Sequence, residues 1–459
     1  MRWAAADLAA IVGGELFAGP ERTITGVATD SRSIVPGDCF VALVGEQFDG
    51  ADFAFDAMAA GAALVISQRP LDQPCIVVDD ALEALAAIAR DHLATLTDTT
   101  VVAITGSSGK TSTKDLVAQV LEQAGPTVAA LGSHNNDIGL PRTVLRADAD
   151  TRFLVLEMGM RGPGQIARLC RIAPPDVAVV LNIGSAHVGE TGSREATARY
   201  KGEILEALHA DGVGIVNRDD AFASFHRGLV PGRLLEFGLD AGDVHASGLR
   251  LDALARASFT LHVGADEAPV TLQLLGEHHV ANALAAAAIA SACGMGVEAI
   301  ASALSAAEPR SHGRMERMEL PNGVTLIDDA YNANPESMRT ALRALAAMGR
   351  ERRTWAVLGE MHELGDERMV EHDAIGRLAV RLDISHLVAV GPAGKLMQIA
   401  AANEGSWGDE AAWVPDAEAA AAYVIARWQP GDIVLVKASR SERLERVAQA
   451  LRAAAGRED

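Results

Sequence analysis

The chain has 459 residues, 49% of them apolar, so it is long enough to form two to four domains that each bury a core. Its net charge of −21 at pH 7 argues against a protein that binds a nucleic-acid backbone or an anionic membrane surface. The 4 cysteines form no C-x-x-C pair and no apolar run is long enough to span a bilayer, so we expect free thiols in a cytoplasmic protein without membrane insertion.

The first block, residues 1–97, is predicted to form a small α/β domain. It opens with a stretch that lacks the apolar core of a signal peptide. A turn-rich segment, DSRSIVPGDCFVALVGEQFDG, is followed by the strand patterns ALVIS and CIVVDD. The block ends with the helical pattern ALEALAAIARDHLATL.

The second block, residues 98–309, and the third, residues 310–459, both alternate strand and helix patterns. Short apolar runs in the second block predict strands at VVAIT, FLVLEMG, VAVVLNIG and GVGIVN, with a small antiparallel pair at ASFTLHVG and PVTLQLLG. The third block repeats the alternation at GVTLIDD, TWAVLGEM, HLVAVGPAG and DIVLVKAS. We therefore predict an α/β protein of three domains with doubly wound parallel sheets, the central domain resembling P-loop ATPases and the last one Rossmann-like.

A phosphate-binding loop is predicted where the strand VVAIT gives way to a helix. Its glycines would let backbone N–H groups surround phosphate oxygens, and the helix N-terminus would point at the same anion. Lys110 would reach the terminal phosphates and Thr111 would bind Mg²⁺. The usual first glycine of the pattern is replaced by Ile104. The residues expected to contact ATP are Thr105, Gly106, Ser107, Ser108, Gly109, Lys110, Thr111 and Ser112.

Two further residues lie at strand ends, where the ligand crevice of an open α/β sheet is found. Glu157 ends FLVLEMG, and His187 lies in NIGSAHVG just past the next strand. Both are placed to join Thr111 around Mg²⁺, although a strand-end Glu or a loop His is more often only a structural residue. Lys201, in the helical pattern ARYKGEIL, would by itself be read as a solvated side chain.

These motifs, in this order and spacing, resemble the Mur ligase family of bacterial cell-wall enzymes. The resemblance covers essentially the whole chain and includes GEHHVANALAA, HGRME, IDDAYNANP and LVKASR. Three segments are most similar to the members that add D-alanyl-D-alanine: DSRSIVPGDCFVALVGEQFDGADFA, SHNNDIGLP and IDDAYNANPESM. The resemblance implies an ATP-dependent amide-bond ligase that acts on UDP-N-acetylmuramoyl-tripeptide and D-alanyl-D-alanine through an acyl-phosphate. We expect a monomer, although the sequence itself does not define the oligomeric state.

The resemblance also implies the roles of individual residues. Lys201 would be carbamylated and, with Glu157 and His187, would hold a second Mg²⁺, while Thr111 and Glu157 serve the first. The implied catalytic set is Lys110, Lys201, His187, Glu157 and Arg314. Further ATP contacts are implied for Asn282, Arg314, Asp329, Tyr331 and Asn332.

The implied substrate contacts are spread over the three blocks. In the first block, Ser31, Arg32, Gly45, Glu46, Phe48 and Asp49 would hold the UDP moiety. Arg32 could offer two N–H groups to a diphosphate, but a buried salt bridge is an equally good interpretation. The muramoyl part would meet Asn135 and Asn136, and the incoming dipeptide would meet Lys437, Ser439 and Arg440.

Other interpretations remain open or are discounted. The chain could add a different amino acid to the stem peptide or glutamate to folate, transfer phosphate without forming an amide, or bind nucleotide without catalysis. The third residue of the acceptor, diaminopimelate or lysine, is left open. HELGDE lacks the second histidine of a zinc motif and is expected to be a surface loop, and GPAGK is expected to be a turn. The adjacent His278 and His279 cannot both face one side of a regular element.

Overall fold

Three large sheets, each made from one consecutive stretch of the chain, organise the protein. The structure is a computed structural model and describes residues 1–184, 188–406 and 408–456. Within these residues, the predicted α/β class with parallel sheets is confirmed. No helix of the described chain has the length and apolar character needed to cross a membrane.

The first stretch forms a five-stranded sheet beside a short two-stranded ladder. Its elements are β1 (Trp3–Ala4), α1 (Ala5–Val12), β2 (Glu15–Phe17), β3 (Thr23–Ile24), β4 (Gly26–Ala28), β5 (Asp38–Val41), α2 (Ala54–Ala59), β6 (Leu64–Ser67), β7 (Cys75–Val77) and α3 (Ala81–Ala94). The strand order is β2-β7-β6-β5-β4, with β2 antiparallel to β7 and the others parallel. The helix α3 begins where the Asp80 carboxylate accepts hydrogen bonds from two N–H groups of its first turn.

The second stretch forms a nine-stranded sheet. Its elements are β8 (Thr100–Thr105), α4 (Lys110–Leu121), β9 (Thr127–Ala129), α5 (Gly139–Val144), β10 (Phe153–Glu157), α6 (Gln165–Ile172), β11 (Val177–Val180), α7 (Val188–Thr191), α8 (Arg194–Glu206), β12 (Val213–Asn217), α9 (Ala223–Arg227), β13 (Arg233–Gly238), β14 (Val244–Leu251), β15 (Arg256–Val263), β16 (Asp266–Leu275), α10 (His279–Ala292) and α11 (Val297–Ala306).

The order β16-β15-β14-β13-β12-β11-β8-β10-β9 places β8 between β11 and β10. After β8 the chain moves first towards one edge and then towards the other, so the sheet has a topological switch point beside β8, where ligands bind in such folds. The predicted antiparallel pair, β15 and β16, is confirmed and extends the main sheet through β14.

The third stretch forms a six-stranded sheet in the order β17-β18-β22-β19-β20-β21, in which β17 is an antiparallel edge strand. Its elements are β17 (Glu316–Glu319), β18 (Thr325–Asp328), α12 (Pro335–Met348), β19 (Thr354–Leu358), α13 (Arg368–Arg381), β20 (His386–Val390), α14 (Gly391–Glu404), β21 (Ala411–Val414), α15 (Ala417–Ile425), β22 (Ile433–Lys437) and α16 (Glu445–Ala455).

Two discounted motifs lie in this stretch. The HELGDE segment lies in a loop with an exposed tip, as expected, and ends in a short 3-10 turn at Gly365–Glu367. The expectation of a turn at GPAGK is wrong, because these residues form the first turn of α14, with Pro392 near its start, where proline fits a helix.

The first and second stretches share a hydrophobic core. Leu85 and Ile88 on α3 belong to the same buried cluster as Leu140 and Val144 on α5. This packing fixes the first sheet against one face of the central one. The predicted domain limits, 1–97, 98–309 and 310–459, stay a prediction; each sheet lies within one of these ranges.

Candidate functional site

A cleft of about 1100 Å³ opens at the carboxyl ends of the central strands, and residues of the third stretch line its other side. The central side contributes the loop after β8, the end of β10 and the start of α10. The third stretch contributes the loops after β18 and β22. The lining residues include 107–112, 133, 135–137, 157, 278, 279, 281, 282, 313–315, 329, 331–334, 437 and 439–441.

The predicted phosphate loop connects β8 to α4. Gly109 precedes the helix with φ +78°, a left-handed conformation that glycine adopts without strain. A Cβ at this position would lie 2.6 Å from Asn282 Oδ1, so the close approach also requires glycine. The ammonium group of Lys110 donates to the Gly106 carbonyl at 2.7 Å. Lys110 therefore lies over its own loop, where an anion would be bound.

Asn182, which sequence reasoning did not single out, holds the tip of this loop. Its Oδ1 accepts from the Ser108 N–H at 3.0 Å and from the Ser108 hydroxyl at 3.2 Å. Its Nδ2 donates to the Ser108 carbonyl at 3.2 Å, and its own carbonyl accepts from Ser107 N–H at 3.0 Å. The only signal in the sequence was the position of Asn182 just after a predicted strand.

Glu157 and Thr111 meet in the cleft, as predicted. Glu157 ends β10 opposite Ile104 of β8, so its side chain emerges beside the phosphate loop. Its Oε2 accepts from the Thr111 hydroxyl at 2.7 Å and its Oε1 from Asn135 Nδ2 at 2.7 Å. Asn136 lies nearby, where its Oδ1 accepts from the N–H groups of Ile138 and Gly139 and so supports the start of α5. A contact of either asparagine with the muramoyl group stays a prediction.

Lys201 is completely buried in α8, and its ammonium nitrogen has no hydrogen-bond partner among the described residues. Burial, with a smaller contribution from Lys110, holds the pKa of Lys201 well below its usual value, and Glu157 opposes this shift. A buried amine without a partner is costly unless a ligand or modification completes its surroundings. His187, the remaining predicted metal ligand, lies outside the described residues.

Arg314 reaches across the cleft from the third stretch. Its Nη2 donates to the Ser133 hydroxyl at 2.9 Å, and its guanidinium carbon lies 4.2 Å from the ring centre of Tyr331. The Arg440 guanidinium lies 4.9 Å from the same ring centre. Two cations thus pack against one aromatic ring at the cleft, a favourable arrangement that fixes both.

The predicted residues Asp329 and Lys437 form a buried ion pair of 2.6 Å. Lys437 also donates to the Asn332 carbonyl at 3.0 Å, while Asp329 accepts from the Met315 N–H at 3.1 Å. Their side chains therefore tie the loop after β18 to the end of β22. A contact of Asp329 with ribose, or of Lys437 with the dipeptide, stays a prediction.

Ser439 and Asn282, also predicted, both line the cleft and use their polar groups within the protein. Ser439 donates to the Ala333 carbonyl at 3.2 Å and accepts from the His362 N–H at 2.9 Å. The Asn282 amide oxygen accepts from the Thr113 hydroxyl at 3.3 Å beneath the phosphate loop. A contact of Ser439 with the dipeptide, or of Asn282 with ATP, stays a prediction.

His278 and His279 both line the cleft, with ring centres 4.1 Å apart, and the expectation for a regular element does not apply to them. His278 precedes α10, whose first residue is His279, so the two are not neighbours within one regular element. Burial, together with Lys437, lowers the pKa of His278 to about 4. Burial and the neighbouring His278 hold the pKa of His279 well below its usual value. Both rings are therefore neutral at pH 7.

The predicted UDP contacts of the first stretch are not among the residues that line this cleft. Arg32 is exposed and pairs with Asp30 through two hydrogen bonds of 2.9 and 2.7 Å, so the expected salt bridge exists but is not buried. This pairing lowers the pKa of Asp30 to about 2. Phe48 is 61% exposed and Asp49 supports the 3-10 turn that follows it. The other predicted contacts here are Ser31, Gly45 and Glu46; all six roles stay predictions.

The three stretches match three models of one protein family. Residues 23–93 match "Mur ligase family, catalytic domain", residues 104–290 match "Mur ligase middle domain", and residues 313–440 match "Mur ligase, glutamate ligase domain". The chain is 46% identical to a UDP-N-acetylmuramoyl-tripeptide–D-alanyl-D-alanine ligase of Mycobacterium tuberculosis, over 97% of each chain. It is 35% identical to the ligase of the same name from Escherichia coli, again over 97% of each.

Solved structures give the same result. A crystal structure of MurF from Acinetobacter baumannii superimposes with a TM-score of 0.91, at 33% identity and over 99% of each chain. MurF ligase from Thermotoga maritima in complex with ADP gives a TM-score of 0.82, at 30% identity, over 94% of this chain and 97% of that one. As its motifs predicted, the chain belongs to the Mur ligase family.

Proposed function

We propose that the chain is an ATP-dependent ligase that joins D-alanyl-D-alanine to UDP-N-acetylmuramoyl-tripeptide during synthesis of the peptidoglycan precursor. One observation carries the proposal: the phosphate loop and the Thr111–Glu157 pair line a single cleft. The Lys201 amine, which interacts electrostatically with Lys110 and Glu157, has no hydrogen-bond partner among the described residues. The relatives of this chain are named for this reaction, and one related structure contains ADP.

The reaction begins with the terminal carboxylate of the tripeptide. One of its oxygens attacks the γ-phosphorus of ATP, the bond to the bridging oxygen breaks, and ADP leaves. The acyl-phosphate that results is then attacked at its acyl carbon by the amine of the dipeptide. The tetrahedral intermediate collapses to the amide, and phosphate departs with the former carboxylate oxygen as the amine loses a proton. Phosphorylation is needed because a free carboxylate is a poor acylating agent in water.

The residues around the phosphate loop supply the charge that this chemistry needs. Lys110 and the N–H groups at the start of α4 would bind the β- and γ-phosphates, for which the helix N-terminus is suited. Arg314 would meet charge that develops on the transferred phosphoryl group. The neutral state expected for His278 and His279 avoids adding further positive charge to the adjoining wall of the cleft.

The same residues fit magnesium. Thr111 and Glu157 offer oxygen ligands 2.7 Å apart, the kind of donor that Mg²⁺ prefers. When bound, Mg²⁺ would neutralise phosphate oxygens and orient them for in-line transfer. We propose two such ions, the second held by Glu157, His187 and a modified Lys201.

The proposed modification is a carbamate on Lys201. A neutral amine reacts with CO₂ to give a carbamic acid, which loses a proton and becomes an anionic oxygen ligand. Burial lowers the pKa of Lys201 and so favours the neutral amine that reacts with CO₂, and this amine has no hydrogen-bond partner among the described residues. Mass spectrometry of the native protein in bicarbonate, compared with CO₂-free buffer, should detect one added CO₂, and the Lys201→Met variant should not gain it.

Closure of the third domain over the central one would exclude water from the acyl-phosphate. Contacts between the two sides already exist: the Gly189 N–H donates to the Glu363 carbonyl at 3.2 Å, and Arg161 lies 3.6 Å from the Glu363 carboxylate. We propose the domain limits given above, with the first domain binding UDP and the third the dipeptide. We also propose that the enzyme works as a monomer, and its use of ATP suits a cytoplasmic location.

The test is ADP release by purified protein with ATP and Mg²⁺, with UDP-muramoyl tripeptide offered together with D-alanyl-D-alanine or with single amino acids. The proposal predicts release, and a matching gain in acceptor mass, only with the dipeptide. Acceptors ending in diaminopimelate and in lysine are compared to define the third residue. Lys110→Met should abolish turnover, whereas the matched Lys395→Met change in α14 should not.

Other outcomes would overturn the proposal. Turnover with a single amino acid and a shorter acceptor would move the enzyme to an earlier step, and turnover with a folate and glutamate would change its pathway. Phosphate transfer without an amide product would indicate a phosphotransferase. ATP binding without any turnover would favour a non-catalytic protein.

A further inference from the structure

Ser133 lies between the phosphate loop and the arginine that reaches in from the third sheet. Its hydroxyl is 2.9 Å from the Thr111 hydroxyl and accepts from Arg314 Nη2 at 2.9 Å. Thr111 in turn donates to Glu157 at 2.7 Å. Four side chains from four separate segments are therefore joined by one continuous series of hydrogen bonds.

The direction of this series follows from counting hydrogens. A hydroxyl has one hydrogen to donate, and the Thr111 hydrogen is directed at the Glu157 carboxylate, which can only accept. Ser133 must then donate its own hydrogen to Thr111, and its oxygen accepts from the guanidinium of Arg314. The chain runs from a cation to an anion, the arrangement in which successive hydrogen bonds strengthen one another.

Lys114 fixes the segment that carries Ser133 by bonding its backbone carbonyls. This buried lysine of α4 donates to the Ala130 carbonyl at 2.6 Å and to the Gly132 carbonyl at 3.2 Å, and it pairs with Asp115 at 2.7 Å. The backbone immediately before Ser133 is thereby held against the helix that begins at the phosphate loop. Ser133 is consequently placed by the central domain, whatever the position of the third.

Arg314 is held on two sides, but one of its N–H donors is not used in a hydrogen bond among the described residues. One N–H group bonds Ser133, and the guanidinium packs on Tyr331. Its Nε is buried and has no hydrogen-bond partner among the described residues. An N–H donor of this kind in a cleft is available to an anionic oxygen.

We infer that Ser133 is a positioning residue that orients the Arg314 guanidinium towards the transferred phosphoryl group when the third domain lies against the central one. The inference rests on the proposed function and adds a residue to it. Without the Ser133 hydroxyl, Arg314 would keep its charge and its packing on Tyr331 but would lose the bond that fixes its rotation. The loss of this bond should raise the free energy of the transition state more than it weakens nucleotide binding.

The test compares Ser133→Ala with Ser133→Thr, which keeps a hydroxyl, and with Ser258→Ala, a serine of β15 outside the cleft. Removing a hydrogen bond to a charged group should lower kcat by about tenfold or more, with a much smaller change in the KM for ATP. Ser133→Thr should recover most of kcat, and the control should match the wild type. Unchanged kcat in Ser133→Ala would overturn the inference, as would an equal loss in both Ser133 variants.

A double-mutant cycle with Arg314→Ala provides a second, independent criterion. If Ser133 acts through Arg314, replacing Ser133 should lower kcat little once Arg314 is absent, whereas additive losses in kcat would contradict the inference.

Hydrogen exchange over residues 311–319 with ADP bound gives a measurement that does not depend on turnover. The inference predicts faster exchange there in Ser133→Ala, and no change would refute it. A wild type that does not ligate would instead refute the proposed function, which the exchange measurement does not assume.

Discussion

Replacing Lys201 with methionine should stabilise the unmodified protein at neutral pH while it abolishes catalysis. Lys201 is fully buried and partnerless among the described residues, and its pKa lies well below the usual 10.5. Methionine has similar length and no charge to desolvate. Relief of an unsatisfied buried polar group is worth about 1–3 kcal/mol.

The stabilisation of Lys201→Met relative to the wild type should decrease as the pH rises. Between the lowered folded pKa and 10.5, the unfolded chain binds a proton at Lys201 that the folded chain does not. The free energy of unfolding of the wild type therefore rises with pH in this window, by about 1.4 kcal/mol per pH unit. Lys201→Met lacks this contribution, so its advantage should shrink by the same amount per unit as the pH is raised.

The assay is urea-induced unfolding at several pH values, in CO₂-free buffer that contains a metal chelator. Hydrogen exchange under the same conditions measures the opening of α8. Lys395→Met, the same substitution on an exposed lysine, is the matched control and should leave the slope unchanged. A constant difference between wild type and Lys201→Met across the window would refute the reasoning, because it would mean that folding does not change the protonation of Lys201.

Three other substitutions test neighbouring parts of the site. Asn182→Ala should weaken ATP binding by about tenfold, measured by calorimetry, because the phosphate loop loses the three side-chain bonds to Ser108; unchanged affinity would show that the loop holds its shape without them. Glu157→Gln keeps the size but removes the charge, so the rate of ADP release should fall about 100-fold, which corresponds to about 3 kcal/mol in activation free energy. A near-normal rate would exclude Glu157 as a metal ligand. Lys437→Met leaves the buried Asp329 carboxylate unpaired and should destabilise the third domain by about 3–5 kcal/mol; a smaller loss in urea unfolding would indicate that water reaches the carboxylate.

Much of the fold could be predicted from the spacing of apolar residues and from the glycines that end strands. The run VVAIT, followed by glycines and then a helical pattern, predicted β8, the phosphate loop and α4, because each of these is specified by local sequence. Strand-end positions similarly predicted that Glu157 would meet Thr111. GPAGK failed as a turn because proline is as well suited to the first turn of a helix as to a turn.

The contacts that depend on distant segments were not predictable in this way. Asn182 and Ser133 are ordinary polar residues in sequence, and they become important only when the sheet brings their loops against the phosphate loop and Arg314. The Asp329–Lys437 pair joins positions 108 residues apart, so no local pattern indicates it. Likewise, burial of Lys201 depends on how α8 packs, which its own helical pattern does not reveal.

The most direct test of the central claim is the fate of the acceptor oxygen. UDP-muramoyl tripeptide labelled with ¹⁸O in its terminal carboxylate is turned over with ATP and D-alanyl-D-alanine, and the phosphate and peptide products are analysed by mass spectrometry. Attack of the carboxylate on the γ-phosphate predicts one labelled oxygen in each phosphate released and one in each new amide. Phosphate that carries no label would contradict activation through an acyl-phosphate.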